Sequence, residues 1–380
     1  KLNFFLQQNY MNYYPDLNSN SNNFYEKKYQ KKEFAKTTIL KETKTTEELC
    51  GKQANFKLLP QQEFLKNYIS VDTPYNGILI VHGTGVGKTC SAIGICEGFR
   101  NSDNKLYKKN LIVLSPSIKD NFKKEIYNFN KEKLKKDPSS VVQCTGKTYE
   151  LGDEAEYLTA KQRRSRIEQK IKNNYEFIGY EKLTNDVIKN TKWNINEEPT
   201  SAIKSYLKKV YSNRVIVIDE VQNIKTSMDV SHSLKSQKKI QIVLMELLKN
   251  ATNVKLILMT ATPMFDKPQE IVFLLNLLLQ NDKRDLIDEK TIFSSDGKLK
   301  KGGDDILFNV SRGYISYLRG ENIHTFPLRV YPENAFTPKL QYYVNGNTIP
   351  KELMMKYQKL VNIPMSDIQY NYYLDRLKVT

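Results

Sequence analysis

A lysine and a threonine close the glycine-rich turn Gly83-Thr84-Gly85-Val86-Gly87-Lys88-Thr89, which follows the apolar run from Ile78 to Val81. Glycines let backbone N–H groups approach an anion closely, and a helix opening near Lys88 would add the positive end of its dipole. Lys88 would then reach the β- and γ-phosphates of ATP, while the Thr89 hydroxyl would help hold Mg²⁺. His82 stands where the full phosphate-loop pattern has a glycine. The plainer reading is an ordinary strand-to-helix turn. The order of apolar run, loop, Lys-Thr and helical stretch argues against it.

Asp219 and Glu220 follow four apolar residues, Val215 to Ile218. Such a run suits a parallel strand buried on both faces, and open α/β sheets bind ligands at the C-terminal ends of their strands. There Asp219 would belong to the Mg²⁺ shell. Glu220 would orient or deprotonate the water that attacks the γ-phosphate. A third run, beginning at Val254, ends in Thr260-Ala261-Thr262. Hydroxyls in that place can bridge the carboxylate strand to a bound polymer, coupling hydrolysis to movement. They can also simply cap the strand by bonding local backbone.

The elements that must position these groups follow from periodicity. Strands are predicted near 78–82, 111–115, 141–144, 176–179, 215–218 and 255–259, alternating with helical patterns. That alternation predicts βαβ units and an α/β domain, a parallel sheet flanked by helices, over residues 56–285. Residues 1–55, rich in Asn, Tyr, Ser and Lys, read as an extension with little core of its own. Residues 286–380 read as a linker and the beginning of a second lobe, with the basic turn 298–303 marking the exit. Stretches 101–110, 153–174 and 185–205 read as polar insertions. Within the second of these, residues 161–172 carry basic side chains at helical spacing. They suit DNA phosphates or a solvated helix face.

Together these motifs resemble the superfamily 2 helicases and translocases. Gly83 to Thr89 resembles motif I, Asp219-Glu220-Val221-Gln222 the DExx box, and Thr260 to Thr262 the Ser-Ala-Thr motif. Gln62, with Gln61 beside it as the alternative, resembles the glutamine that reads adenine. Ser115 and Pro116 open a segment similar to motif Ia, which touches the nucleic-acid backbone. The resemblance narrows to helicase-like ATPases of large nucleocytoplasmic DNA viruses. These include the poxvirus-type nucleoside triphosphate phosphohydrolase I and the ATPase subunit of the early transcription factor. A histidine before the loop is familiar there. Ser311 to Gly320, Phe326-Pro327 and Met365 to Tyr370 resemble the passage into those enzymes' second motor lobe.

The resemblance implies a RecA-like first motor lobe, ATP and Mg²⁺ as cofactors, and a nucleic-acid-dependent ATPase acting in viral transcription. It also implies DNA or RNA, and viral RNA polymerase or transcription factor subunits, as partners. The expected location is the virion and the host cytoplasm. Gln222, Thr260 and Thr262 would couple hydrolysis to the polymer. Gln222 replaces a histidine and cannot titrate near neutral pH, which bears on strand separation more than on hydrolysis. The Gln-x-x-Gly-Arg-x-x-Arg setting of a second-lobe arginine finger does not occur in these residues. Slow hydrolysis by this polypeptide alone is therefore expected.

Composition sets bounds. The formal net charge is +17 over 380 residues, which suits a polyanionic partner. A Lys-, Asn- and Tyr-rich bias would raise charge without any binding. Cys50, Cys90, Cys96 and Cys144 show no metal-ligand spacing and read as reduced thiols of a cytosol-like compartment. No apolar run reaches the ~18 residues of a membrane span. A second hypothesis is a virion-associated DNA-binding scaffold or packaging protein whose ATP site is vestigial.

Overall fold

Six strands pair side by side in the order β3-β2-β4-β5-β1-β6, and every pairing is parallel. They are β1 (Gly77–His82), β2 (Asn110–Val113), β3 (Tyr175–Ile178), β4 (Arg214–Ile218), β5 (Val254–Thr260) and β6 (Ile315–Leu318). This computed structural model describes residues 24–38, 57–100, 106–130, 143–152, 157–224, 231–264, 267–318, 342, 347–354 and 365–377.

The helices are, in chain order, α1 (Phe24–Tyr29), α2 (Lys32–Ala35), α3 (Pro60–Tyr68), α4 (Lys88–Arg100), α5 (Pro116–Ile126) and α6 (Ala160–Asn174). There follow α7 (Tyr180–Thr191), α8 (Ser201–Tyr211), α9 (Ser231–Asn250), α10 (Glu270–Asn281), α11 (Glu289–Ile292) and α12 (Gly303–Ser311). The larger compact unit ends at Asn322. The smaller, Ile323–Thr380, holds a Tyr342–Thr348 antiparallel bridge and α13 (Asp367–Leu377).

Strand residues alternate between two covered faces, as a period of two requires. Leu79, Val81, Ile216, Ile218, Leu256 and Leu258 join one core with α7 to α10. Ile78, Ile80, Val215, Val217, Ile257 and Met259 join the other with α3, α4, α5 and α6. Each fully buried aliphatic side chain contributes roughly 1.5–3 kcal/mol, so neither face can be left open. Local chemistry starts the helices where they are needed. Pro116 occupies the first turn of α5 after Ser115, and a Thr159–Gln162 capping box opens α6.

The expected parallel sheet is the one that forms, with several differences at its margins. Residues 143–144 of the strand expected at 141–144 lie in a turn, and 141–142 fall outside the described residues. The stretches read as polar insertions include α6 and the ends of α7 and α8, whose buried Ile167, Ile171, Val187 and Ile203 face the core. Within the N-terminal extension, Phe24 and Phe34 are buried against α3 and belong to the second core. Beyond the basic turn at 298–303, α12 leads into β6, which pairs with β1. No sequence signal marked β6, because its short run gains its place only through that pairing.

The cysteines differ most from expectation. Cys90 and Cys144 form a disulfide, with Cα atoms 5.1 Å apart, and Cys96 is free and buried. The pairing arises because the turn at 143–150 returns against α5, where Cys144 N–H donates to the Glu125 carbonyl at 2.8 Å. Nothing in the spacing of the cysteines reveals that return. Among the described residues no helix is long and apolar enough to cross a membrane.

Cross-linking across a separation of 54 residues is worth about 4 kcal/mol by chain entropy. Reduction with dithiothreitol is expected to lower Tm by several degrees, and Cys144→Ser to reproduce the drop. Non-reducing peptide mapping that finds both thiols free, with no change in Tm, would contradict the bond.

Candidate functional site

In a parallel sheet every strand delivers its C-terminal end to the same edge, and the candidate residues collect there. Gly83 follows β1, Ser115 follows β2, Asp219 follows β4, and Thr260 closes β5. β5 lies between β1 and β4. The glycine turn and the acidic pair are therefore separated by two interstrand spacings, about 10 Å. This is the distance over which a metal-bound triphosphate extends.

The loop itself is braced from within. Gly85 and Gly87 have φ of 78° and 82°, a left-handed conformation that glycine adopts without strain. A Cβ on Gly87 would also lie 2.3 Å from the Gln62 Nε2 atom. Gln62 is buried at the start of α3. Its Oε1 accepts the Leu59 N–H at 2.9 Å and its Nε2 donates to the Gly87 carbonyl at 3.2 Å. The residue read as an adenine reader thus also fastens the phosphate loop. Lys88 Nζ donates to the His82 and Gly83 carbonyls at 2.9 and 3.2 Å. Thr84 and Gly85 are exposed, while Val86 and Thr89 are half-buried, with Thr89 in the first turn of α4.

His82 has a separate duty. It is buried at the end of β1, and its Nε2 lies 2.9 Å from Ser316 Oγ on β6. Burial first, and then the Lys88 charge, hold its ring down to about 4, so the imidazole is neutral at pH 7. Where the usual pattern has a glycine, this chain has a clip between β1 and β6.

The acidic pair sits under tension. Asp219 Oδ1 accepts the Glu220 N–H at 3.0 Å, and the Gln222 side chain donates to Glu220 Oε2 at 2.6 Å. The Tyr180 hydroxyl donates to the Asp219 carbonyl, and to that of Glu220 at 3.3 Å. Glu220 has φ of 51°, a left-handed backbone unusual outside glycine and asparagine. Burial first, and then the Glu220 charge, push the Asp219 carboxyl up to about 6. The Glu220 N–H and the Lys88 ammonium pull it back down. Lys88 therefore acts electrostatically on Asp219, although the two are far apart in the chain.

The remaining residues divide. Thr260 is wholly buried and its hydroxyl accepts the Thr262 N–H at 2.9 Å, a strand-capping bond, while Thr262 is exposed. Ser115 is half-buried with its hydroxyl 2.7 Å from that of Ser117, and Pro116 is exposed. Gln222 is engaged with Glu220. Tyr180 carries no motif and could not be found from sequence, and Ser316 lies in the Ser311–Gly320 segment, whose resemblance gave no hint of its bond to His82. Phe326 and Pro327 lie outside the described residues. Thr89 and the two carboxylates offer hard oxygen donors, the set that suits Mg²⁺. A cation joining them would offset the repulsion that raises Asp219. The residues fit Mg²⁺ with a nucleotide triphosphate.

Comparison with known proteins agrees in extent with this site. The family described as "Type III restriction enzyme, res subunit" matches residues 55–265. Two proteins of Acanthamoeba polyphaga mimivirus, both named as candidate ATP-dependent RNA helicases, are similar to the chain. One is 29% identical over 327 residues, covering 82% of this chain and 49% of its own. The other is 30% identical over 301 residues, covering 73% and 24%. The chain thus spans about half the length of one relative and a quarter of the other. A solved SWI2/SNF2 ATPase core of Sulfolobus solfataricus, in complex with dsDNA, aligns at 17% identity with TM-score 0.41, covering 71% of this chain and 46% of that one.

Two outcomes test the geometry. Gly87→Ala is expected to displace Gln62 and weaken nucleotide binding at least tenfold in calorimetry, since both φ and space oppose a methyl group. The Asp219 carboxyl holds its proton more tightly folded than unfolded, because its folded value of about 6 exceeds the ordinary 3.8. Stability is thus lost as pH rises from the lower value through the higher, by about 3 kcal/mol at most. In metal-free buffer at pH 8, Asp219→Asn is expected to raise Tm by a few degrees, and the gain should fall by about half at pH 5 and vanish only below the ordinary value of 3.8. A variant equally less stable at both pH values would contradict the assignment.

Proposed function

The chain belongs to the family of the type III restriction enzyme res subunit, and from that premise we propose that it is a nucleic-acid-dependent ATPase of the helicase and translocase type. One observation carries the reading. The Lys88 charge bears on Asp219, which supports reading the glycine loop and the acidic pair as a single site. In this mechanism the loop N–H groups from Gly85 to Thr89 bind the phosphates, and Lys88 exchanges two carbonyls for phosphate oxygens. Thr89 and Asp219 would hold Mg²⁺, which supplies charge neutralisation on the β- and γ-phosphates when bound. Glu220 takes a proton from the attacking water, and the Gln222 amide keeps its carboxylate oriented. The exposed Thr262, capped onto Thr260 at the end of the strand between the loop and the carboxylates, transmits the change to the polymer.

The finer reading is that the protein acts in transcription of viral genes, in the virion and the host cytoplasm, together with polymerase or transcription factor subunits. The sequence resemblance to the poxvirus-type enzymes and the viral origin of the similar proteins support it. DNA or RNA as polymer is supported by the net charge of +17. Residues 323–380 would open the second lobe. A scaffold with a vestigial site has less support, because it leaves the burial of Asp219 and the strained Glu220 without a use.

Glu220→Gln separates the two readings. Steady-state turnover is expected to fall by about 10² or more, while calorimetry still shows ATP binding, and the parent rate should rise when DNA is added. Equal rates with and without nucleic acid would overturn the motor reading.

A further inference from the structure

A cleft of about 630 Å³ shares no residue with the phosphate loop or the acidic pair. It opens beside β3, the edge strand of the sheet, between α5 and α6. Lys119 and Lys123 stand one helical turn apart on α5, with Lys124 beside them. Arg164 and Lys172 face them from α6, whose Ile167 and Ile171 turn to the core. Five basic side chains thus meet two acidic ones, Asp120 and Glu168, in one concave trough.

Its floor is aromatic, and this sets it apart from a solvated basic helix face. The Arg164 guanidinium lies 4.8 Å from the centre of the Phe129 ring, and Lys123 Nζ lies 5.6 Å from that of Phe177. A ring face holds a cation in place without neutralising it. The charges are therefore positioned in advance and stay available to an anion. Arg164 also meets Glu168 at 3.0 Å, but both side chains are largely exposed. Such a pair is weak and exchanges readily for a phosphate.

We propose that this trough is a second contact for the nucleic-acid backbone. It holds a flanking stretch of the polymer along the side of the lobe, away from the strand-end edge where Ser115 and Pro116 lie. Charge complementarity selects a phosphate chain, and the trough's length along two helices suits a run of phosphates rather than one anion. The inference rests on the nucleic-acid reading given above.

Fluorescence anisotropy of a labelled oligothymidylate with the full chain, between roughly 50 and 200 mM salt, tests it. The double variant Lys123→Glu, Arg164→Glu is expected to bind about tenfold or more weakly, with the slope of log K against log salt reduced by about 1.4, the single-strand value for two lost phosphate contacts. Glu168→Gln, which keeps both cations, is expected to bind about two- to threefold more tightly. Affinity for ADP with Mg²⁺ should be unchanged in both, which also reports an intact fold. A parent chain that binds while both variants match it in affinity and slope overturns this inference alone. A parent chain with no salt-dependent binding overturns the nucleic-acid reading as well.

Discussion

Asp219 is a carboxylate drawn out of water and set against a second carboxylate, an arrangement that is unfavourable until a cation joins it. The rest of the edge is organised around that tension. Tyr180 clasps the two backbone carbonyls, Gln222 takes the Glu220 carboxylate, and the backbone at Glu220 is bent into the left-handed region. Strain of 1–3 kcal/mol of this kind persists only where surrounding structure over-determines it. Here the surroundings are β4, all of whose residues are buried, and a tyrosine anchored at the start of α7.

The parallel sheet is what turns local chemistry into a site. β1 supplies the glycine turn and β4 the acids, with β5 inserted between them, so three separate stretches finish within two strand spacings of one another. The same geometry explains His82. A side chain in place of the usual glycine is tolerated because β6 lies next to β1 and offers Ser316, and the buried ring stays neutral beside Lys88. The Gln62 amide completes the arrangement by donating to the Gly87 carbonyl, which ties the start of α3 to the glycine turn.

What could be read in the sequence was what is written contiguously. The glycine turn, the Val215–Ile218 run with its two acids, and the strand ending at Thr260 each carry their meaning within a few residues. The central strands read clearly because burial on both faces demands unbroken apolar runs. What could not be read depends on distant partners. β6 has one half-exposed face and becomes a strand only against β1. Phe24 and Phe34 lie in an Asn-rich stretch and acquire a core only where α3 passes. Tyr180 and the Cys90–Cys144 bond are products of chain return, for which spacing along the sequence holds no clue. Thr260 shows the reverse, a motif residue whose hydroxyl is spent on its own strand end.

The central claim is that Lys88, Thr89, Asp219 and Glu220 form one metal–triphosphate site whose buried carboxyl gives up a proton when the ligand arrives. Calorimetry of ATP with Mg²⁺ at pH 6, in two buffers of different ionisation enthalpy, measures that proton directly. The account predicts release of about half a proton per site, from a carboxyl near its midpoint, fading by pH 8 and absent in Asp219→Asn. Binding with no proton release at pH 6, or no binding at all, would contradict it.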